Sequence, residues 1–473
     1  MEINPLTVGP IVGETTTNRV RIWGRGRADI VQDTPRRCFG VLRLRPSGRA
    51  AWSQPRFFKM NPNFDLTGIA VINRLKPDMP YEYEIGYFFS DVELLDAPSR
   101  HLDWGKASSG SFRTASANDQ QPRDLVIGSC RYLLKTFLGS FFDNRGDKTF
   151  RSIYRQIDKG QPLHQLIMMG DQIYADDLNA FNPDKTIDQF YRRYRDAFSQ
   201  KHIRRLMSRV PTYMTLDDHE IEDNWPQKAS DKDWKTLFPI AIHAYQGYQL
   251  SHSPCIPVRG TRLQGTPNHL WYDYTDGCVD VFVCDSRTER YPENQDAQNQ
   301  VSIKDRRMLG EEQFRALKRW LADGSGRVKV VVTSVPFFPD SASGEGQDKW
   351  SGYPTQRQQL LRHIESRQIN KVVFFSGDVH ASFSCELHSP SGLKIISVVS
   401  SAFFWPYPHP SARHFQLRGT IDGGGAGQFA LAAASRVISD DCFSRVRITP
   451  TQLSVNVYSR KGRRMGRETV HRF

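Results

Sequence analysis

The sequence lacks the patterns that mark a membrane protein or a secreted protein. No apolar run in its 473 residues approaches the roughly 20 residues that cross a bilayer. Residues 1–5 carry neither the basic region nor the apolar region of a secretory signal. The chain also has no internal repeat and no long low-complexity segment. We therefore expect a globular protein that is not transmembrane and that is cytoplasmic.

Cysteine is sparse and follows no pairing pattern. The seven cysteines are an odd number, are scattered along the chain and include no CxxC pair. This argues against a disulfide framework and suits a reducing compartment. We expect most of them to be small buried apolar residues, with Cys130 as the exception.

Acidic side chains are outnumbered by basic ones, 51 against 64, which leaves a net charge of +13. Such an excess favours an anionic partner, for example a phosphate ester, a nucleic acid or an acidic membrane surface. Basic residues are concentrated at 191–209 and in a C-terminal tail at 460–473. Charge runs are usually solvated surface, and neither stretch resembles a nucleic-acid-binding module. The sequence thus predicts no obligate nucleic-acid partner and leaves the oligomeric state open.

Two regions of different periodicity divide the chain. Before residue 115, alternating or β-rich runs are separated by turn residues, which is typical of a small all-β sandwich domain at 1–115. Residues 116–123 are polar and turn-rich and predict a linker. Between 124 and 473, strands alternate with amphipathic helices, which predicts a layered α/β domain with an at least partly parallel sheet.

The predicted elements of this second region are short and well separated. The strands are expected at residues 125–127, 166–169, 213–216, 279–284, 328–335, 372–375, 395–399 and 453–458. The helices are expected at residues 150–156, 187–208, 234–248, 311–321 and 356–366. An Asp-Gly turn within 270–281 predicts an additional antiparallel hairpin.

Three polar turns, each following a buried apolar run, carry most of the chemistry. They read GDQIY at 170–174, DDHE at 217–220 and GDVH at 377–380. Open α/β sheets place their ligand crevices at the C-terminal ends of strands. Turns that bring Asp, Tyr and His to one edge of a sheet meet the needs of a two-metal site. The spacing therefore predicts an enzyme.

Asp171 and Tyr174 form the first candidate ligand pair. A carboxylate after a strand can bridge two cations, and a phenolate three residues later can return to the same metal. The alternative is a Gly-Asp turn with a packed tyrosine. The presence of two further turns of the same kind favours the metal role.

The second turn is dense in ligand types. Asp218 is a candidate metal ligand, and His219 is a candidate to act on the substrate or its leaving group. Asp223 and Asn224 extend the turn and offer another oxygen ligand or support for the ligands. A helix-capping role for one aspartate is the alternative, and it is compatible with metal binding.

The third turn places Asp378 and His380 two positions apart. In strict strand geometry such residues share a face, so both reach one metal pair. A lone histidine is usually structural, but this one follows a buried strand, a glycine and an aspartate.

Cys130 follows the apolar run at 125–127. A thiolate beside a metal loses its proton readily, and the adjacent Arg131 also favours the anion, so a ligand role is the main interpretation. A structural cysteine and a covalent nucleophile are the alternatives. The nucleophile is disfavoured because bulky residues, and no Gly-rich loop, follow the cysteine.

Arg287 follows another apolar run, at 281–283. Its guanidinium is a forked donor suited to a phosphoryl oxygen, with Asp285 to hold it in place. Arg290 is the alternative donor. For either arginine, the non-functional alternative is a surface ion pair.

Taken together, these motifs resemble the PhoD-like alkaline phosphatase family of metallophosphoesterases. The matching segments are GSC at 128–130, GDQIY at 170–174, DDHE at 217–220 with NW at 224–225, DSR at 285–287, WSGYP at 350–354 and GDVH at 377–380. The start of the chain, residues 9–23, is similar to the start of the family's N-terminal β-domain. The resemblance implies a four-layer α/β/β/α sandwich with a binuclear metal site.

The resemblance also implies a ligand set. Cys130, Asp171, Tyr174 and His380 would hold Fe³⁺, with Asp171 bridging to a second ion. That second ion, Ca²⁺ in some members, would take Asp378 and an oxygen from the turn at Asp218. Thiolate and phenolate suit trivalent iron, and carboxylates suit a hard cation. The family often has Asn-Asn before the tryptophan, whereas this chain has Asp223 first, so Zn²⁺, Mn²⁺ and Mg²⁺ stay open for the second position.

The function expected from these residues is metal-dependent hydrolysis of phosphate monoesters, diesters or both. The substrate would be a small molecule or derive from a phospholipid or nucleic acid. Arg287 would bind a phosphoryl oxygen, and His219 would assist the leaving alkoxide. The alternatives are a non-catalytic anion- or nucleic-acid-binding module on the same fold and a cysteine-nucleophile phosphatase.

Overall fold

Apolar runs form buried strands and amphipathic runs form helices throughout the computed structural model, which describes residues 1–31, 34–90, 101–133, 145–176, 183–291, 305–343 and 348–473. The strands before residue 115 are β1 (Val8–Thr15), β2 (Arg19–Arg25), β3 (Ile30–Val31), β4 (Thr34–Pro35), β5 (Arg37–Pro46), β6 (Arg56–Lys59), β7 (Thr67–Asn73), β8 (Pro80–Ser90) and β9 (Ser108–Arg113). All their pairings are antiparallel.

These strands form two main sheets. One has the order β1-β2-β7, the other has the order β6-β5-β8-β9, and β3 and β4 form a short ribbon. Side chains from both sheets meet in one apolar core, which includes Ile22, Leu42 and Ile85. The alternation of apolar and polar residues along β8 fits this arrangement, because one side of an antiparallel strand is covered and the other is not.

Asp65 connects these strands to the rest of the chain. Its carboxylate accepts hydrogen bonds from Arg25 at 2.8 Å, from Arg195 at 2.7 Å and from the Tyr248 hydroxyl at 2.5 Å. Nearby, the indole of Trp23 donates to the carbonyl oxygen of residue 247 at 2.8 Å. Buried charge pairs and aromatic packing therefore attach the N-terminal strands to the helices that follow.

The remaining strands and helices begin at Arg123. The strands are β10 (Arg123–Gly128), β11 (Gln165–Met169), β12 (Thr212–Thr215), β13 (Val258–Arg259), β14 (Arg262–Leu263), β15 (Tyr272–Asp276), β16 (Val279–Val283), β17 (Val328–Val332), β18 (Val372–Ser376), β19 (Phe383–His388), β20 (Lys394–Val399), β21 (Arg418–Asp422), β22 (Gln428–Ala433), β23 (Cys442–Ile448), β24 (Gln452–Ser459) and β25 (Thr469–Arg472). The α-helices are α1 (Arg145–Asp158), α2 (Ile187–Phe198), α3 (Lys201–Met207), α4 (Asp231–Tyr248), α5 (Glu311–Leu321) and α6 (Pro354–Ser366).

Two mixed sheets dominate this region. The smaller has the order β12-β11-β10-β23-β24-β25, with β10, β11 and β12 parallel. The larger has the order β15-β16-β17-β18-β20-β19-β22-β21, with β16, β17, β18 and β20 parallel. The C-terminal ends of parallel strands lie together at one edge of each sheet, and the polar turns follow those ends.

Alternate residues of the central strands pack on different partners. Val281 and Val330 of the larger sheet share a core with Leu125 and Ile167 of the smaller one. Phe282 and its like-facing neighbours instead pack with the apolar faces of α5 and α6. Both faces of the parallel strands are therefore covered, which explains why their sequences are continuous apolar runs.

The structure departs from the predicted elements at residues 187–208 and 460–473, and it contains strands that were not predicted, among them β21 and β22. The helix expected at 187–208 is two helices, α2 and α3, which are separated at residues 199–200. The basic stretch at 460–473 is not wholly a tail, because β25 pairs with β24 in the smaller sheet. All seven cysteines are buried, as expected for small apolar side chains. Among the described residues, no helix is both long and apolar enough to span a membrane.

Candidate metal centre

The polar turns after β10, β11, β12 and β18 meet where the two sheets face each other. The turn after β10 is tied to the turn after β11 by the amide of Cys130, which donates to the carbonyl oxygen of Gly170 at 3.2 Å. The amide of Asp378, after β18, donates to the Ser129 hydroxyl at 3.3 Å. The site therefore takes residues from both sheets.

Two glycines allow these turns to approach each other. A Cβ atom at Gly170 would lie 2.3 Å from the Cβ of Asp217, and Gly170 also has a φ of 97°. A Cβ at Gly377 would lie 2.2 Å from the Ser129 hydroxyl oxygen. Real Cβ atoms do not come so close to other heavy atoms, so only glycine fits at these positions.

Several candidate ligands have a left-handed backbone. The φ angles are 54° at Cys130, 55° at Asp171, 66° at Asp378 and 50° at His380, and Asn224 has 58°. Non-glycine residues rarely adopt such angles, and where they do they often belong to functional sites. The extended geometry expected for the turn at Asp378 and His380 is wrong, because both residues lie in this region.

Among the described residues, three sets of possible ligand atoms lie within 4.8 Å of one another. The sets are Cys130 with Asp171 and His380, Asp171 with Asp218 and His219, and Asp217 with Asp218 and Asp378. Asp171 belongs to two sets, and Asp218 also belongs to two. A carboxylate shared in this way is what a bridging ligand between two cations requires.

The first set combines a thiol, a carboxylate and an imidazole, with the phenol of Tyr174 beside them. The Cys130 sulfur lies 3.1 Å from the hydroxyls of Ser129 and Ser401, and the Tyr174 hydroxyl donates to Asp171 at 3.2 Å. Burial, followed by the charge of Asp171, raises the pKa of both the Cys130 thiol and the Tyr174 phenol well above their usual ranges. A cation is needed to hold such groups as anions in this environment.

Two ligand atoms in this set are buried and have no hydrogen-bond partner among the residues that the structure describes. They are Oδ1 of Asp171 and Nε2 of His380. Burial lowers the pKa of His380 to about 3, so the imidazole is neutral and available as a ligand. Buried polar atoms are normally satisfied, so these two atoms fit a bound metal ion.

Arg131 does not support the Cys130 thiolate as the sequence suggested. Its guanidinium donates to the carbonyl oxygen of Ala197 at 2.6 Å and lies over the ring of Phe150. This expectation is wrong because the guanidinium is directed toward Ala197 and Phe150 instead of toward the Cys130 sulfur.

The set of Asp217, Asp218 and Asp378 is organised around Arg287. The Arg287 side chain is fully buried and donates from Nε to Asp217 at 2.6 Å and from Nη1 to Asp348 at 2.5 Å. Nη2 lies 3.5 Å from Asp218 and 3.8 Å from Asp378. Burial lowers the pKa of Arg287, but the carboxylates outweigh it and raise the pKa well above its usual range. Arg287 thus lies at the site with most of its donors already engaged.

The carboxylates of this set respond to burial in opposite ways. Burial raises the pKa of Asp378 to about 6, which Lys349 only partly offsets. For Asp218, burial works in the same direction, but Arg287 and His219 hold the pKa well below its usual range. Several buried carboxylates therefore face one another, and cations would relieve their mutual repulsion.

His219 belongs to the set with Asp171 and Asp218. Its Nδ1 is 2.9 Å from Asp176, its Nε2 is 3.8 Å from Asp223, and its ring packs on Tyr174 with centroids 4.3 Å apart. Burial alone lowers the pKa of His219, but Asp218 and Asp171 outweigh it and raise the pKa well above the usual range. These carboxylates thus favour the protonated imidazole, and Asp176 orients the ring through Nδ1.

Glu220 fixes the position of the turn at 170–174 relative to the turn at 217–220. Its carboxylate accepts the amides of Asp171 at 3.1 Å, Gln172 at 2.6 Å and Asp217 at 2.9 Å. The capping role expected for an aspartate of this turn is thus partly carried out by Glu220, beside the short 3-10 helix at Asp218–Glu220. Burial raises the pKa of Glu220 to about 7.

Asp223 lies apart from the three sets. Its side chain is 49% exposed, and its Oδ2 accepts a hydrogen bond from Asn224 at 2.8 Å. Its role as a ligand stays a prediction. Trp350 and Tyr353 of the WSGYP segment are buried.

Three residues of the site carried little signal in the sequence. Asp176 lies just beyond the first turn, Asp348 follows no apolar run in the sequence, and Trp405 stacks on His380 with centroids 3.7 Å apart. Only the proximity of Asp176 to the GDQIY turn could have suggested its role. The contacts of the other two depend on folding that residue spacing does not encode.

Comparisons with known proteins agree with this geometry. A sequence model of the PhoD-like phosphatase family matches residues 137–406. Alkaline phosphatase D of Bacillus subtilis (strain 168) is 28% identical over 215 residues, which are 43% of this chain and 36% of that protein. The match thus spans only about a third of the length of this curated relative.

Two solved structures share the fold. A structure of PhoD superposes with a TM-score of 0.70 at 17% identity, over 99% of this chain and 92% of the other. A purple acid phosphatase from yellow lupin (Lupinus luteus) seeds superposes with a TM-score of 0.61 at 12% identity, over 98% and 73%. At these identities the likeness shows a mixed α/β fold with several sheets.

Proposed function

Because the chain belongs to the PhoD-like phosphatase family, we propose that it hydrolyses phosphate monoesters, diesters or both at a binuclear metal centre. One observation carries the proposal. Buried Asp171 lies between a set with Cys130 and His380 and a set with Asp218 and His219, and ligand atoms of Asp171 and His380 have no partner. The substrate class is a phosphate ester of a small molecule, or one derived from a phospholipid or a nucleic acid.

We infer that Fe³⁺ and Ca²⁺ are the two metals, with Zn²⁺, Mn²⁺ or Mg²⁺ as alternatives at the second position. Cys130, Asp171, Tyr174 and His380 would hold the iron, since thiolate and phenolate suit that ion. Asp171, Asp218 and Asp378 would hold the hard cation, with Asp223 or Asn224 completing its ligands. A metal pair of this kind supplies Lewis acidity toward phosphoryl oxygens and makes water a stronger nucleophile at neutral pH.

The chain's own residues would bind and orient the ester and manage its protons. Asp176 fixes the ring of His219 through Nδ1, so a protonated Nε2 would donate its proton to the leaving alkoxide. Nη2 of Arg287 points toward Asp218 and Asp378 and would bind a phosphoryl oxygen. Lys349, whose Nζ lies 3.7 Å from Asp378 and which is partly exposed, offers a second cation at the entrance.

The layer order of the fold is part of the same proposal. Helices α1 to α3, the smaller sheet, the larger sheet, and α5 with α6 would stack as a four-layer α/β/β/α sandwich. The separate core of the N-terminal strands supports an all-β sandwich domain at 1–115, a linker at 116–123 and a catalytic domain from 124 to 473.

Metal analysis combined with hydrolysis assays tests the proposed function. We expect the purified protein to contain about one iron per chain with a visible thiolate- or phenolate-to-iron absorption band, and to hydrolyse p-nitrophenyl phosphate or its bis ester. Asp171→Ala should lose most of the metal and the activity, whereas the matched control Asp119→Ala, an exposed linker carboxylate, should keep both.

The outcomes separate the proposal from its rivals. Activity that survives chelation but not thiol alkylation would indicate a cysteine nucleophile. A folded wild-type protein that hydrolyses neither ester after reconstitution with iron and each divalent ion would overturn the proposal. A colourless but active zinc or manganese protein would keep the phosphoesterase and discard the iron.

A further inference from the structure

A layer of aromatic rings covers one side of the candidate metal centre. Trp405 stacks on His380 with an interplanar angle of 20°, and its ring centroid lies 6.1 Å from those of Tyr132 and Tyr174. Tyr407 lies 5.1 Å from Trp405 and 6.3 Å from Tyr132. The layer therefore runs from the candidate ligand His380 through Trp405 to Tyr407.

Tyr407 is exposed in a way that packing does not explain. Its side chain is 47% exposed, and it is the only exposed aromatic residue in the part of the chain that the structure describes. Trp405 beside it is half-buried. Aromatic side chains of globular proteins are mostly covered, and an exposed aromatic face beside a reaction site is suited to binding a flat group.

The segment that presents these rings is held firmly. The Trp405 amide donates to Asp441 at 2.9 Å, and Asp441 also lies 3.5 Å from Nε2 of His409. Nδ1 of His409 lies 2.7 Å from the carbonyl oxygen of His380, which ties the segment to the metal centre. Prolines alternate with the aromatic and histidine residues over 405–410 and restrict φ. A ligand that stacks here would order little additional chain on binding.

We propose that Trp405 and Tyr407 form a stacking platform for the base of a nucleoside 5′-monophosphate, whose phosphoryl group lies at the metal centre. This inference rests on the proposed function and names its substrate class. The metal centre and its cations bind the charged end of the substrate, while the exposed ring of Tyr407 and the half-buried ring of Trp405 offer an apolar surface beside it. A phosphate ester whose alcohol carries a planar base matches both halves of the surface.

Two substrates with the same leaving atom isolate the contribution of the base. Adenosine 5′-monophosphate and ribose 5-phosphate both release a 5′-alkoxide, but only the first carries a base. Stacking of one base predicts a kcat/KM roughly 5- to 100-fold higher for the nucleotide, mainly through KM. Tyr407→Leu should reduce this ratio, and Tyr407→Phe should retain it, because the phenyl ring keeps the stacking face.

A matched control and a second source of the base complete the design. Trp52→Leu removes an aromatic ring that packs on Arg43 and Arg45 among the N-terminal strands, and it should leave the ratio unchanged. A 5′-phosphorylated oligonucleotide presents the same chemistry at a strand end. If Tyr407→Leu impairs its hydrolysis as well, the platform also accepts strand ends; if only the mononucleotide responds, it accepts free nucleotides.

The results distinguish failure of this inference from failure of the proposed function. Equal kcat/KM for the two substrates in the wild type, or a ratio unaffected by Tyr407→Leu, would overturn the platform while hydrolysis of ribose 5-phosphate upholds the phosphoesterase. If the metal-loaded wild type hydrolyses neither these substrates nor the p-nitrophenyl esters, both proposals fall.

Discussion

Replacing Arg287 by methionine tests whether this residue chiefly organises the carboxylates of the site. Asp348 would keep an ion pair with Arg290 at 2.6 Å, so the loss falls on Asp217, which is fully buried and has no other ion pair in the described chain. Leaving one member of a buried pair without its partner costs roughly 3–5 kcal/mol. At about 2 °C per kcal/mol, the lower end for large domains, Tm should fall by roughly 6–10 °C.

A double-mutant cycle measured by thermal denaturation gives the prediction its sharpest form. Asp217→Asn alone should also destabilise, since it removes the charge opposite Arg287. The double variant should lose less stability than the sum of the losses of the two single variants, because neither partner is then left as a buried unpaired charge. Arg287→Lys should fall between the wild type and Arg287→Met, since one ammonium cannot reproduce the forked contacts.

A different result would refute the reasoning. If Arg287→Met changes Tm by less than about 2 °C while KM for phosphate esters rises sharply, the buried ion pairs contribute little. Arg287 would then act mainly as the phosphoryl donor expected from the sequence.

Three further outcomes follow from other parts of the structure. The hydrogen bond from His471, at 2.7 Å, lowers the pKa of Glu386 to about 2. This pair should therefore stabilise the fold at pH values above the ordinary carboxyl pKa and lose that contribution as the pH falls toward 2. The difference in Tm between the wild type and Glu386→Gln should shrink over the same pH range. Iodoacetamide should leave Cys130 of the native protein unmodified, as mass spectrometry will show, because the thiol is buried and its pKa is raised, whereas a chelator should abolish hydrolysis. Asp65→Asn should lower Tm measurably, since it removes the negative charge opposite two arginines and one of the two acceptor oxygens between the N-terminal strands and the helices.

The sequence predicted well those elements whose signal is local. The strands before the polar turns were expected at 125–127, 166–169 and 372–375, and β10, β11 and β18 cover them. Both faces of these strands are buried, so their apolar runs are unbroken. Helix α5 begins and ends where expected, because its amphipathic pattern is regular.

Other elements could not be predicted because their pattern is set by distant partners. Strands β21 and β22 carry exposed, small or polar residues, and β25 consists of Thr469–Arg472 within a basic stretch. Their strand conformation depends on pairing across the sheet, which residue spacing does not reveal. Within the site, the sequence named Asp171, Asp218 and Asp378 as ligands but expected Asp285 to hold Arg287. The Arg287 guanidinium instead pairs with Asp217 and Asp348, and Asp348 follows no apolar run in the sequence.

Because the candidate centre takes groups from both sheets, it assembles only when distant parts of the chain come together. Cys130 and Ser401, whose side chains touch, are 271 positions apart in the chain. Contacts of this range form only after much chain entropy has been lost, so no short segment retains a partial site. Each bound ion would then stabilise the whole domain, by about 4 kcal/mol at a free concentration 1,000 times its Kd. The supply of metal would thereby govern how long the folded chain persists, as well as how fast it turns over.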